Sequence, residues 1–192
     1  MASEKILRLR LRLTDRLSLA TLVDLASLVR DVHDFPKQGI VFKDITTLLK
    51  VPEAFRQAID ELTDAFRDER IDMVVGMESR GFIFAAPIAY NLNAGLVPVR
   101  KLGKLPHDTL SIEYALEYGS NTLEIHRDGI QPGQRVLLVD DLLATGGTVA
   151  ATVDLIQQLQ GEVVAAAFLI ELPFLEGRKS LPGIHVVSLI QG

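Results

Sequence analysis

Short, wholly apolar runs alternate along this chain with stretches whose apolar residues fall at helical spacing, and few folds accommodate that alternation. Met73-Val74-Val75 is followed by a helical pattern from Gly81 to Leu92 and then by the apolar run Leu96 to Val99. Val136 to Val139 is followed by a helix with Val149, Val153, Ile156 and Leu159 inward, and Val163 to Leu169 and His185 to Leu189 supply two more strands. A strand that is apolar on both faces must be covered on both. The pattern therefore predicts an α/β fold, a mostly parallel sheet flanked by helices. Upstream, Leu22, Leu25, Val29 and Val32 recur at helical spacing and predict a helix from about Ser18 to Val32. Phe35 to Asp44 holds Pro36 and Gly39 and reads as a loop leading into Ile45 to Leu49. Pro52 opens a further helix with Phe55, Ile59, Leu62 and Phe66 buried. Between the core strands lies a long polar insertion, Lys101 to Gln134, in which Ser111 to Tyr118 and Asn121 to His126 form a hairpin around Gly119.

With 192 residues and neither internal repeat nor linker, the chain reads as one domain over 1–192. Its parts are an N-terminal extension over 1–17, a helix and hood over 18–50, and a mobile loop and hairpin over 101–126. A composition of 48% hydrophobic and 23% charged residues excludes a disordered, collagen-like or coiled-coil protein. A formal charge of −5 argues against broad nucleic-acid binding. The absence of cysteine removes disulfides, thiolate metal sites and cysteine nucleophiles, and fits a cytosolic protein. No run reaches the roughly 20 apolar residues of a membrane helix. Leu7-Arg8-Leu9-Arg10-Leu11-Arg12-Leu13 interrupts any signal-peptide core. Its alternation reads as an edge strand or loosely ordered arm with one arginine face; the sharper reading is a contact surface for an acidic partner or membrane. The histidines His33, His107, His126 and His185 show no metal-ligand spacing and read as structural or surface residues.

Chemistry concentrates in Val136-Leu137-Leu138-Val139-Asp140-Asp141-Leu142-Leu143-Ala144-Thr145-Gly146-Gly147-Thr148. A buried strand ends in two carboxylates, a loop of small residues follows, and a helix begins. Just beyond the carboxyl end of a strand is where open α/β sheets bind ligands. Gly146 and Gly147 let the backbone approach an anion, the turn and helix amides point at it, and Thr145 and Thr148 add hydroxyl donors. Such a loop suits a phosphomonoester, while the acceptor-only carboxylates suit a vicinal diol. Together they suit ribose 5-phosphate. The rival is an NTPase, whose magnesium-holding strand also ends in acidic residues. Its phosphate loop is missing: Gly76-Met77-Glu78-Ser79-Arg80-Gly81 continues into Phe82-Ile83, without lysine or hydroxyl.

The run Asp140 to Thr148 resembles the phosphoribosyl-diphosphate signature of the type I phosphoribosyltransferases. Further segments narrow the resemblance to that family's adenine-using branch. Phe35-Pro36-Lys37-Gln38-Gly39-Ile40-Val41-Phe42-Lys43-Asp44-Ile45 is similar to its base-recognition segment and Gly76 to Phe82 to its diphosphate loop. Arg100-Lys101-Leu102-Gly103-Lys104-Leu105-Pro106 is similar to its mobile basic loop and Leu116-Glu117-Tyr118-Gly119 to its acidic loop. The match runs from about Val32 to the C-terminus, in the family's order.

The resemblance implies the type I fold with a small N-terminal hood and a loop and hairpin insertion. It implies a homodimer, with magnesium held mainly by the substrate rather than by protein ligands. It assigns Asp140, Asp141, Ala144, Thr145, Gly146, Gly147 and Thr148 to the phosphoribosyl group. Glu78, Ser79, Arg80, Arg100, Lys101 and Lys104 fall to the diphosphate, Arg80 as a bidentate partner and the loop cations as a lid. A cis peptide between Glu78 and Ser79 comes with that loop. Val41, Phe42, Lys43 and Leu142 fall to the base, Phe42 beside the ring and Val41 and Lys43 through backbone groups; the family usually has arginine where Lys43 stands. Leu142 is equally suited to the core. Glu117 would manage the purine proton on N7 or N9, with Arg80 and Lys104 stabilising the leaving charge. The reaction implied is transfer of 5-phosphoribosyl from 5-phosphoribosyl 1-diphosphate to N9 of adenine, giving AMP and diphosphate in purine salvage. The alternatives are another purine as acceptor (hypoxanthine, guanine or xanthine), or a nucleotide-sensing regulator that retains the phosphoribosyl site.

Overall fold

The computed structural model describes residues 22–115 and 120–192. The Leu/Arg extension, the start of the expected helix at Ser18, and Glu117 lie outside the described residues. The chain divides into two compact units, Met1–Gln57 and Ala58–Gly192.

In the first unit, β1 (Arg30–His33) pairs antiparallel with β2 (Val41–Asp44), followed by the short helix α1 (Thr46–Leu49). The helix expected up to Val32 does not form across the described residues. A single 3-10 turn at Ala26–Leu28 gives way to extended backbone at Val29 (φ −86°, ψ 129°). Tertiary pairing overrides the helical spacing here, and the β-branched Val29 and Val32 suit an extended chain. The register is fixed by cross-strand ion pairs, Arg30 Nη2 to Asp44 Oδ2 at 2.5 Å and Lys43 Nζ to Asp31 Oδ1 at 2.9 Å. The turn between the strands closes on Asp34 (φ 59°), whose carboxylate accepts the Gly39 N–H at 2.7 Å. The expected loop over Phe35 to Asp44 is thus a loop only to Ile40, and its last residues are strand.

The unit boundary falls within α2 (Pro52–Asp64). Of its expected stripe, Ile59, Leu62 and Phe66 are buried, with Phe66 just past the last turn. The second unit holds β3 (Met73–Met77), α3 (Gly81–Leu92), β4 (Gly95–Lys101), β5 (Thr109–Ala115), β6 (Ser120–His126), β7 (Arg135–Leu143), α4 (Gly147–Gln158), β8 (Glu162–Glu171) and β9 (His185–Gln191). They form a seven-stranded sheet in the order β5-β6-β4-β3-β7-β8-β9. The five strands from β4 to β9 are parallel, and the β5–β6 hairpin adds antiparallel at the β4 edge. The central apolar strands β3, β7 and β8 are mostly buried as expected, whereas β4 exposes Leu96 and β9 is only half-buried. Val75, Met77, Leu138, Phe168, Val149 and Ile156 belong to one buried cluster. No helix among the described residues is long and apolar enough to cross a membrane.

From β3 the chain moves outward to β4; after the hairpin it returns to the other flank of β3 as β7. The strand order therefore reverses between β3 and β7. The crevice at the carboxyl ends of those two strands is the place such a sheet offers a ligand.

Candidate active site

The two loops that leave this reversal point carry the residues singled out above. β3 runs into Glu78, Ser79 and Arg80, with a cis peptide between Glu78 and Ser79 as expected, and α3 begins at Gly81. β7 pairs with β3 only as far as Val139, opposite Gly76, but with β8 as far as Leu143. Asp140 and Asp141 are therefore inside the strand rather than beyond its end, a correction to the expected order of strand, carboxylates and loop. They sit where one neighbouring strand has turned away, which opens room for a ligand while β8 still holds the backbone.

Their surroundings are tight. Asp140 Oδ1 accepts the Asp141 N–H at 2.9 Å, and a side chain at Gly81 would come within 2.7 Å of that oxygen. Arg80 Nη2 lies 2.9 Å from Asp141 Oδ2, and the Asp141 side chain is only 5% exposed. That oxygen makes no directed hydrogen bond. Burial pushes the Asp140 carboxyl well above the usual range, and the adjacent Asp141 charge adds to the push. Burial raises Asp141 as well, against the pull of the Arg80 guanidinium. Two adjacent like charges, Asp141 buried and Asp140 half-buried, with spare acceptor capacity are unfavourable alone and are relieved by hydroxyl donors or a cation.

The loop Ala144-Thr145-Gly146 follows, and α4 begins at Gly147. Gly146 has φ 85°, left-handed backbone that costs glycine nothing. A Cβ there would also meet Ser180 Oγ at 2.6 Å and the Gly177 carbonyl oxygen at 2.7 Å. The loop thus lies directly on the 3-10 turn Gly177–Ser180, and Ser180 Oγ donates to the Thr145 carbonyl at 3.4 Å. That turn is itself anchored: Arg178 donates to both oxygens of buried Glu171 at 2.6 and 2.7 Å. Ser188 Oγ adds a third bond to Glu171 at 2.7 Å. Arg178 first, outweighing burial, holds the Glu171 carboxyl below its ordinary range. The first backbone bond into α4 is Ala150 N–H to Gly146 at 2.8 Å, so the amides before it point out of the helix start.

On the opposite side of β3, Glu78 does not stand free. Its carboxylate accepts Arg100 Nε and Nη2 at 3.2 and 3.3 Å and the Lys101 N–H at 3.0 Å. Burial would raise this carboxyl, but the Lys101 amide and Arg100 outweigh it and hold it down. Glu78 thus orients the first cation of the basic loop. The loop's far end is fastened by Glu124 of β6, which is 3% exposed and accepts the Lys104 and Leu105 N–H groups at 2.8 Å each. Burial opposes ionisation of Glu124, and the amides of Leu105, Lys104 and Gly103 overcome it. Replacing Glu124 by alanine removes that anchor. The expected result is faster protease cleavage after Lys104 and a roughly tenfold higher KM for the phosphoribosyl donor, with the thermal midpoint lowered by a few degrees. An unchanged cleavage rate would show that the loop is held by other contacts.

Val41, Phe42 and Lys43 stand on β2 of the first unit, where Phe35 and Phe42 meet edge to face with centroids 5.2 Å apart. The Lys43 ammonium is engaged by Asp31, which suits a role through the backbone at this position. Leu142 is half-buried within β7. Among the described residues, no three histidine, aspartate, glutamate or cysteine side chains converge to hold a metal ion.

Within the second unit the fold brings Glu78, Ser79 and Arg80 together with Arg100 and Lys101, and Arg80 with Asp141. Sequence reasoning missed Glu124, Tyr114, and the Glu171–Arg178 pair with Gly177. Glu171 was open to detection, because it closes the apolar run of β8 as Asp140 closes the run Val136 to Val139. Glu124 was not, since its pairing opposite Arg100 depends on register.

Comparison with known proteins agrees with this geometry. The family profile described as phosphoribosyl transferase domain matches residues 44–186. The chain is 61% identical over 168 residues to an adenine phosphoribosyltransferase of Chloroflexus aurantiacus, covering 88% of this chain and 97% of that one. It superposes on the crystal structure of adenine phosphoribosyltransferase from Thermoanaerobacter pseudethanolicus with a TM-score of 0.86 at 52% identity, covering 90% and 100% of the two chains. For the Saccharomyces cerevisiae enzyme, solved with an imino-altritol bisphosphate and adenine, the TM-score is 0.81 at 40% identity, covering 86% and 96%. With three quarters of its length under the family profile and the relatives above matched along nearly their whole length, the chain belongs to the phosphoribosyl transferase domain family, in its adenine phosphoribosyltransferase branch.

Proposed function

We infer that the chain transfers the 5-phosphoribosyl group of 5-phosphoribosyl 1-diphosphate to N9 of adenine, forming AMP and diphosphate. The observation that carries this reading is the adjacent carboxylates of half-buried Asp140 and buried Asp141, leading into the Ala144–Thr148 loop at the reversal point of the sheet. Asp140 and Asp141 accept the ribose 2′ and 3′ hydroxyls. Ala144, Thr145, Gly146, Gly147 and Thr148 take the 5-phosphate through backbone amides and hydroxyls. Arg80 and the Ser79 amide take the diphosphate, with Arg80 turning from Asp141 to the incoming anion. Arg100, aimed by Glu78, and Lys101 and Lys104 close over it.

C1–O cleavage leaves positive charge on the ribosyl ring and negative charge on the diphosphate. The cations of this loop stabilise the second, and their closure excludes the water that would otherwise hydrolyse the donor. Val41, Phe42 and Lys43 recognise adenine, Leu142 borders the base, and Glu117 receives the proton that N9 substitution releases from the purine. Asp140 and Asp141 would stand beside a magnesium ion held mainly by the substrate, and that ion would neutralise diphosphate charge. The assembly proposed is a homodimer, which the exposed Tyr90, Leu96 and Leu102 suit. The compartment proposed is the cytosol.

The test is product formation with magnesium and the donor, offering adenine, hypoxanthine, guanine and xanthine separately. AMP formed selectively from adenine is the expected result. Turnover with another purine would overturn the role given to Val41, Phe42 and Lys43 while leaving the donor site in place.

A further inference from the structure

Tyr114 of β5 places its hydroxyl 3.1 Å from Thr148 Oγ1, the second residue of α4. The tyrosine ring needs no such partner to be held, because it already packs against the buried cluster of the second unit. The Thr148 main chain is held as well: Thr152 Oγ1 donates to the Thr148 carbonyl at 2.8 Å. What remains adjustable at Thr148 is the direction of one proton. A threonine hydroxyl has a single hydrogen to give and two lone pairs to offer. A phosphate dianion at the start of α4 only accepts, so Thr148 serves it best when its own proton points at the phosphate. A neighbour that donates to Thr148 Oγ1 enforces that orientation. A phenol, with one O–H to give, is suited to do so.

We propose that Tyr114 is a positioning residue for the 5-phosphate: its hydroxyl donates to Thr148 Oγ1 and thereby commits the Thr148 proton to a phosphate oxygen. Chained donors of this kind also polarise one another, so the Thr148 bond to the anion is strengthened as well as aimed. The same contact ties strand β5, three residues before Glu117 in sequence, to the loop that takes the phosphate. The inference rests on the assignment of Thr148 to the 5-phosphate made above.

The experiment is calorimetric titration of ribose 5-phosphate into the full chain and into Tyr114→Phe, Thr148→Ala, Thr148→Ser and the two Tyr114→Phe combinations, with inorganic diphosphate as control. Tyr114→Phe keeps the packed ring and removes only the hydroxyl. It is expected to raise the Kd for ribose 5-phosphate roughly fivefold and to leave diphosphate binding unchanged. That loss should persist in the Thr148→Ser background, where a hydroxyl remains to be oriented, and vanish in the Thr148→Ala background. Equal losses in all three backgrounds, or no loss in the parent chain, would overturn the role of Tyr114. Unchanged ribose 5-phosphate binding in Thr148→Ala alone would overturn the phosphate assignment itself, and the proposal with it.

Discussion

Replacing Asp140 and Asp141 together by asparagine is expected to lower kcat/KM for the phosphoribosyl donor by about 100- to 10,000-fold. In the proposed role each carboxylate accepts a ribose hydroxyl in a charge-assisted bond of about 1.5–3 kcal/mol, and two such bonds span that range. Asparagine keeps the shape and one acceptor per side chain but loses the charge. Near-normal donor affinity and turnover in the double variant would remove the carboxylates from the diol. The two residues should part company in stability. Asp140 is forced up by burial and by the charge beside it, so folding it ionised is unfavourable. An acid whose folded pKa is raised stabilises least above that pKa, because the unfolded chain releases its proton first. Asp140→Asn should therefore raise the thermal midpoint at neutral pH by a few degrees, at about 2–4 °C for each kcal/mol. Its advantage over the parent chain should shrink as pH falls toward 4, where unfolded carboxylates take up protons. Asp141→Asn should not gain in this way, because it strands the Arg80 guanidinium that now pairs with Asp141. A function that requires two adjacent like charges in one strand, one of them buried, is bought with stability, and the single variants separate the two.

The sheet was legible because its core strands are short, continuously apolar runs set between longer helical segments. Gly81–Leu92 reads as a helix from the sequence and is one, and the apolar runs at 73–75, 96–99, 136–139, 163–169 and 185–189 all lie within strands. The segment before Asp34 misled because Leu22, Leu25, Val29 and Val32 match a helical stripe by spacing alone. What decides its conformation is a partner strand, with Arg30 opposite Asp44 and Asp31 opposite Lys43. Spacing reports local periodicity, and pairing between Val32 and Phe42 is not local. The same limit applies at the site. Asp140, Asp141 and the Gly146-Gly147 turn are contiguous and could be read as one motif. Tyr114 and Thr148 lie 34 residues apart, and Glu124 reaches Lys104 only because β6 pairs with β4 in one register. Groups that hold a loop in place have no reason to be near it in sequence.

Gly177 is the position where this non-local support is most exposed to a single change. A Cβ there would overlap the Ala144 carbonyl oxygen and come within 2.9 Å of Leu143 Cδ1. Neither neighbour can yield cheaply. Ala144 opens the loop assigned to the 5-phosphate in the proposed function, the Leu143 carbonyl is taken by the Leu172 N–H at 2.9 Å, and Arg178, next along the turn, is clamped on Glu171. Gly177→Ala must displace either the 3-10 turn or the loop, a cost of about 1–3 kcal/mol for overpacking a filled space. The thermal midpoint should fall by roughly 3–10 °C. Because the displaced partner is the Ala144–Gly146 backbone, the Kd for ribose 5-phosphate should rise by about 10- to 100-fold as well, the effect of misplacing groups by a fraction of an ångström. Gly183→Ala is the control. Gly183 has φ 75° but nothing within 4 Å of its would-be Cβ. It should lose about 1 kcal/mol to backbone strain with ribose 5-phosphate affinity intact. Equal affinity losses in the two variants would mean that the loop responds to stability in general. A loss confined to Gly177→Ala would mean that the turn beneath the loop sets where its amides point.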